Sequence, residues 1–189
     1  MLVGIILVAV LVVLAVWAIA IYNGLVRLRA LVNEGFSGIT VQLRRRADLV
    51  PNLVSTVEGY AAHEKSVLSE VTAHRADATS ASGVAATAAA DNAFSAMLGR
   101  LVAVAEAYPD LKADDNFRQL QGELSDIEEQ LQGARRYYNA TVRDLNTSIQ
   151  SFPNVLFARP FGFAEAEFYA DADASIQQAP KVQFGAAKA

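Results

Sequence analysis

Chemistry in this chain would have to come from His63, Glu64, Glu70 and His74, a group that includes both of its histidines. Imidazole and carboxylate are ligands for zinc and non-haem iron, so the question is whether their spacing lets them share an ion. His63 and His74 fall on one helix face, eleven residues apart. At the rise of a helix that is about 16 Å, too far for one metal. Glu70 and His74 are at i, i+4 and close enough to co-ligate. Yet the zincin pattern H-E-x-x-H is absent, and the E-x-x-H of di-iron bundles is missed by one residue. Solvated helix surface is the better reading of all four residues. A metal-dependent or lipid-modifying enzyme built on them stands as the alternative function. No nucleophile elbow, phosphate loop or dinucleotide fingerprint occurs, and zero cysteines removes thiol nucleophiles and thiolate metal sites. The expectation is a protein that is not an enzyme and that carries no metal or cofactor.

The densest charge is Arg44-Arg45-Arg46. Such a cluster suits anionic lipid or an acidic partner. If a straight helix runs from Gly24, Arg44 stands about 30 Å from a membrane interface there, several Debye lengths away. Lipid contact would need a bend, and Gly35 and Gly38 are the residues that would allow one. A solvated face paired with carboxylates such as Asp48 is the simpler reading. The net charge of -4 and the pI near 5.2 offer no basic field for nucleic acid.

These residues must be held by elements, and the first is the plainest. Residues 2–26 contain no Asp, Glu, Lys or Arg and are mostly Leu, Ile, Val and Ala. As a helix the run spans roughly 37 Å, more than the ~30 Å hydrocarbon core of a bilayer. Ala18-Ile19-Ala20 has the small-residue spacing of a signal-peptide cleavage site, but no basic n-region precedes the run and the apolar stretch is long for one. A retained anchor over residues 1–26 is expected, with Trp17 and Tyr22 at headgroup level and Arg27 and Arg29 flanking it. Arginines follow the span and none precede it. The positive-inside rule therefore puts the N-terminus outside and the rest in the cytoplasm of a bacterial cell, at the inner membrane.

Beyond the anchor the pattern is helical to about residue 152. Leu25, Leu28, Val32, Phe36, Ile39 and Leu43 form one stripe; Leu53, Val57, Tyr60, Ala61, Leu68 and Val71 form the next. Pro51 between them either kinks one long helix or opens a second one capped by Asp48. Residues 80–90 read as a connector of low complexity with a frayed helix start. A further helix carries Phe94, Met97, Leu98, Leu101, Val102, Ala105 and Tyr108, and Pro109 ends it. Then Phe117, Leu124, Leu131, Tyr138, Leu145 and Phe152 recur every seven residues, with Leu120, Ile127 and Ala134 at the companion position. Asp114 or Asp115 would cap that helix, and Pro153 would end it. Long single-stripe helices with short connections pack as antiparallel bundles. The fold class is therefore all-α: one transmembrane helix, then a bundle of three to four long helices over residues 27–168. The aromatic segment from Phe161 to Tyr169 is expected to dock on the bundle end, and residues 169–189 to be extended or disordered.

Several strings carry a resemblance. Tyr22-Asn23-Gly24-Leu25-Val26-Arg27-Leu28-Arg29 follows the span, then Phe36-Ser37-Gly38-Ile39 and Val41-Gln42-Leu43-Arg44-Arg45-Arg46-Ala47-Asp48-Leu49-Val50-Pro51-Asn52-Leu53-Val54. Gly59-Tyr60-Ala61 leads to His63-Glu64, and Ala103-Val104-Ala105-Glu106-Ala107-Tyr108-Pro109-Asp110-Leu111-Lys112-Ala113 comes later. With Tyr138-Asn139 and Phe152-Pro153-Asn154, the chain resembles the LemA family of bacterial membrane proteins over most of residues 22–168. That resemblance implies a single-pass, N-out protein with an antiparallel bundle and no established catalytic residues. It also implies association with a membrane metalloprotease in envelope quality control, while a relative acts in magnetosome formation. The expected function is a membrane-anchored scaffold or adaptor that self-associates and meets the lipid bilayer and other membrane proteins. Arg44, Arg45, Arg46, Asn52, Glu58, His63, Glu64 and Asn139 are its candidate contact surface. For Asn139 and Tyr108 the plainer alternative is hydrogen bonding within the bundle.

Overall fold

The computed structural model describes residues 1–170. Helix α1, Leu2–Tyr60, runs through the apolar segment and on into the bundle as one element of 59 residues, roughly 88 Å long. It is long and apolar enough to cross a membrane, and none of the described residues covers its most apolar stretch. Pro51 sits inside α1 and does not open a second helix, and Asp48 is an exposed interior position, not a cap. The break comes later, at residues 61–64, where the Glu64 N–H bonds to the Ala61 carbonyl at 3.0 Å. The apolar stripe continues across that break to Leu68 and Val71, which hides it from periodicity alone.

After it come α2, Lys65–Ser80, and α3, Val84–Glu106. Gly83 between them has a φ of 82°, a left-handed conformation that reverses the chain and that a side chain would strain. Much of the expected connector is thus ordered helix, with Thr87 and Ala88 buried. Short α4, Pro109–Ala113, has proline in its first turn. Helix α5, Asp115–Gln150, is capped by the Asp114 carboxylate, which accepts the Phe117 N–H at 2.9 Å. Helix α5 stops two residues short of Phe152, which keeps the seven-residue spacing but is 80% exposed and outside the core. A turn and the short α6, Val155–Ala158, follow.

Helices α1 and α5 are antiparallel along their length. Gly35 faces Tyr138, Arg45 bonds Gln130 and Tyr60 bonds Asp114 at the α5 cap, while Trp17 meets Phe157 of α6 just past the other end of α5. Helices α2 and α3 form an antiparallel hairpin against the far half of α1, tied by Glu70–Arg100 and by Arg75 to Ala47. The far half is thus a four-helix bundle over Val50, Leu53, Val57, Val71, Phe94, Leu101 and Phe117. Nearer the apolar segment α1 and α5 continue as a pair, around Leu25, Ile39, Leu131, Tyr138, Val142 and Leu145.

That pair has a groove, and residues 163–169 fill it as an extended strap. The Asn146 side chain accepts the Ala166 N–H at 2.8 Å and donates to the Ala166 carbonyl at 2.9 Å. Asn139 does the same for Tyr169, at 2.9 and 3.1 Å. Seven residues of helix rise about 10.5 Å and three of extended chain about 10 Å, so two asparagines two turns apart match strap residues three apart. The aromatic segment therefore reaches along the bundle, beyond its end. Tyr169, expected to begin a loose tail, is 3% exposed. The rest of that expected tail, residues 171–189, lies outside the described residues.

Candidate functional site

The polar heart of the molecule is Asp91, fully buried on α3 at the joint between the two cores. Arg46 of α1 reaches its Oδ1 at 3.2 Å and also donates to Ser95 Oγ at 2.9 Å. Arg135 of α5 donates to Asp91 Oδ2, and the Tyr169 hydroxyl of the strap donates to the same oxygen at 2.8 Å. Glu128 closes the cluster, 3.3 Å from Arg46 and 3.7 Å from Arg135. Each guanidinium also lies over a ring, Arg46 on Phe94 and Arg135 on Tyr169, with centroid distances of 5.6 Å. Four segments of chain meet here.

Two guanidiniums face two carboxylates, so the cluster is balanced in charge. A buried ion needs this to offset its lost hydration. Burial alone would lower the Arg135 pKa, but Asp91 and then Glu128 beside it raise it overall. Burial and the Asp91 charge push the Tyr169 hydroxyl well above the usual phenol range. Tyr138, whose hydroxyl donates to the Glu167 carbonyl at 2.7 Å, is raised mainly by burial. The raised values keep Arg135, Tyr169 and Tyr138 protonated near neutral pH, as fixed hydrogen-bond donors between helices and strap.

This placement corrects the reading of Arg46 as solvated contact surface: it is 6% exposed and bound inward. Helical spacing carries the signal. Ile39, Leu43, Arg46, Val50, Leu53 and Val57 fall on one seam, as do Leu131, Arg135, Tyr138 and Val142, and likewise Asp91, Phe94, Leu98 and Leu101. A charged residue on such a seam needs a buried partner. Which partner depends on how the helices pair, and one helix does not encode that.

Asn139 also turns inward, to the strap. Arg44, Arg45, Asn52, Glu58 and His63 are exposed, and Glu64 is half-buried beside Tyr108, 3.5 Å from its hydroxyl. Arg45 bonds Gln42 and Gln130, at 3.3 and 2.9 Å. Arg44 lines a cleft of about 250 Å³ whose other walls are Thr40, Val41, Leu43, Ala78, Thr79, Ala81 and Thr87. Glu70 pairs with Arg100 at 2.9 Å, and His74 faces Asp77 at 4.0 Å. The four residues of the metal alternative are thus not brought together, and no group of three metal-capable side chains exists among the described residues. At the other end Tyr22 packs edge-on against Phe161 and Phe163, and Arg29 lies 5.0 Å over the Phe163 ring.

Comparison with known proteins adds a family and relatives. The LemA family model matches residues 35–184. Magnetosome protein MamQ of Magnetospirillum gryphiswaldense is 26% identical over 174 residues, which cover 78% of this chain and 64% of that protein. Magnetosome proteins MamQ 2 and MamQ 1 of Paramagnetospirillum magneticum are each 27% identical over the same shares. The chain thus spans just under two thirds of the length of these relatives.

Proposed function

The chain belongs to the LemA family, and on that premise we propose that it is a membrane-anchored helical scaffold or adaptor that self-associates and performs no catalytic step. The observation that carries this is the continuity of α1, which joins the apolar segment to the bundle without a hinge or linker. A rigid rod of this kind holds a protein surface at a fixed distance from a bilayer. The polar interior supports the same reading, because Asp91, Arg46, Arg135 and Glu128 form ion pairs with one another that tie α1, α3 and α5 together. The exposed Arg44, Arg45, Asn52, Glu58 and His63 form the contact surface in this proposal.

Exposed Arg27 and Arg29 just past the apolar run favour the N-terminus outside and the bundle in the cytoplasm at a bacterial inner membrane. A membrane metalloprotease or another envelope protein is the kind of partner such a surface would hold. The test is affinity purification from mild detergent at matched expression. The wild type is expected to bring down a second, differently tagged copy and a set of membrane proteins. The variant Arg44→Ala/Arg45→Ala is expected to lose members of that set; identical partner sets would overturn the surface assignment.

A further inference from the structure

Beyond residue 26, eight large apolar side chains are exposed among the described residues, and four of them, Phe152, Val155, Leu156 and Phe161, lie in one ten-residue corner. Phe152 is 80%, Leu156 61% and Phe161 55% exposed. Single exposed apolar residues are ordinary, but a cluster of this size on the corner between α5 and the strap needs an apolar occupant.

Its position names the occupant. The Phe157 ring packs edge-on against Trp17 at 6.0 Å, and Phe161 against Tyr22 at 5.5 Å. The corner therefore lies beside the stretch of α1 from Trp17 to Tyr22. A hydrocarbon core of ~30 Å takes about 20 helical residues. Every such stretch within the charge-free residues 2–26 contains Trp17. With the core ending as early as residue 21, Trp17 is still about 6 Å inside it, deeper than the headgroup level expected from its ring, which Tyr22 keeps. Side chains at Trp17 level thus reach the depth of about 5–10 Å at which interfacial apolar faces settle. Charge agrees, because residues 151–163 contain no Asp or Glu and a single exposed cation, Arg159.

We infer that the 152–161 corner is a second membrane contact, an apolar wedge seated in the headgroup–acyl boundary of the bilayer that α1 crosses. The inference rests on α1 being the anchor. Phe152, Leu156 and Phe161 enter the boundary, while Arg159, Arg27 and Arg29 meet the phosphates. With α1 and the wedge both fixed, α5 is held at its membrane end as well, and the bundle cannot swing about α1.

The native chain has no cysteine, so single-cysteine variants of the full chain report individual positions. Leu11→Cys in the anchor, Leu156→Cys in the wedge and exposed Asp126→Cys on the far part of α5 are labelled with an environment-sensitive fluorophore. They are reconstituted in nanodiscs of phosphatidylcholine and phosphatidylglycerol, with both faces open to solvent. The labels at 11 and 156 are expected to lose emission when the lipids carry bromine near the top of their acyl chains, and the label at 126 to lose it only to iodide in the buffer. Iodide quenching at 156 without lipid quenching overturns the wedge. Protection at 156 from both quenchers also overturns it, and assigns the corner to a second protein copy. Loss of lipid quenching at 11 instead overturns the anchor itself, so the two failures are distinguishable.

Discussion

The Arg75 Nε donates to the carbonyl of Ala47 at 2.7 Å, and Ala47 is the residue four before Pro51. Proline has no N–H, so within α1 this carbonyl loses its helical partner. Ala47 is fully buried, and water cannot replace the bond. An arginine from α2 supplies it. The interior proline and the α1–α2 packing are therefore one device.

That coupling is testable. Arg75→Ala should cost about 1–3 kcal/mol, the penalty of a buried unsatisfied carbonyl. A Pro51→Ala background restores the missing backbone N–H, and there the same Arg75→Ala change should cost clearly less. Thermal unfolding of the four proteins in detergent, followed by circular dichroism, gives the cycle. Equal costs in both backgrounds would show that Arg75 acts through other contacts.

Gly35 and Gly38 look alike in sequence, and both read as sites for a bend. The structure separates them. A Cβ on Gly35 would stand 3.1 Å from the Tyr138 backbone, whereas one on Gly38 meets nothing within 4 Å. Gly38→Ala should gain helix propensity worth about 1 kcal/mol. Gly35→Ala should forfeit that gain, because α1 and α5 must move apart, and Gly35→Leu should melt far lower still. The same unfolding measurement ranks them; equal gains for the two alanine variants would refute close packing at Gly35.

How much of the fold is legible in the sequence follows from where each signal resides. The apolar run and the stripes of α1, α3 and α5 are local, and periodicity recovers them. The two ends of α5 show the limit: Phe117 is on the seam and in the core, while Phe152 keeps the spacing after the helix has stopped. The strap is invisible to such reading, because extended chain held by two asparagine side chains has no period. Asp91 is readable as a charge in apolar register, but its partners come from α1, α5 and the strap. Pairings of that kind belong to the fold.

The Asp91 cluster predicts a charge-specific rescue. Asp91→Ala leaves two guanidiniums with Glu128 alone and should cost about 3–5 kcal/mol, as breaking a buried pair does. Removing one cation as well, in Asp91→Ala/Arg135→Met, restores balance between Arg46 and Glu128. The double variant should therefore melt above the single variant, despite carrying one more substitution. Additive losses would mean that packing, and not charge balance, holds the joint.

The Asp114 cap predicts a response to acid. Its carboxyl is held below the ordinary carboxylate range, first by the Phe117 N–H, and the Tyr60 hydroxyl at 3.0 Å acts in the same direction. A depressed folded pKa means that the unfolded chain binds the proton more readily. The stabilisation is then complete above the unfolded value of about 3.9 and fades as pH falls through the lower folded one. Asp114→Asn keeps a good cap but has no proton to bind. Wild type should be the more stable at neutral pH, and its advantage over Asp114→Asn should shrink steadily below about pH 4. A constant difference in melting temperature across that window would show that the carboxylate charge contributes nothing at this helix end.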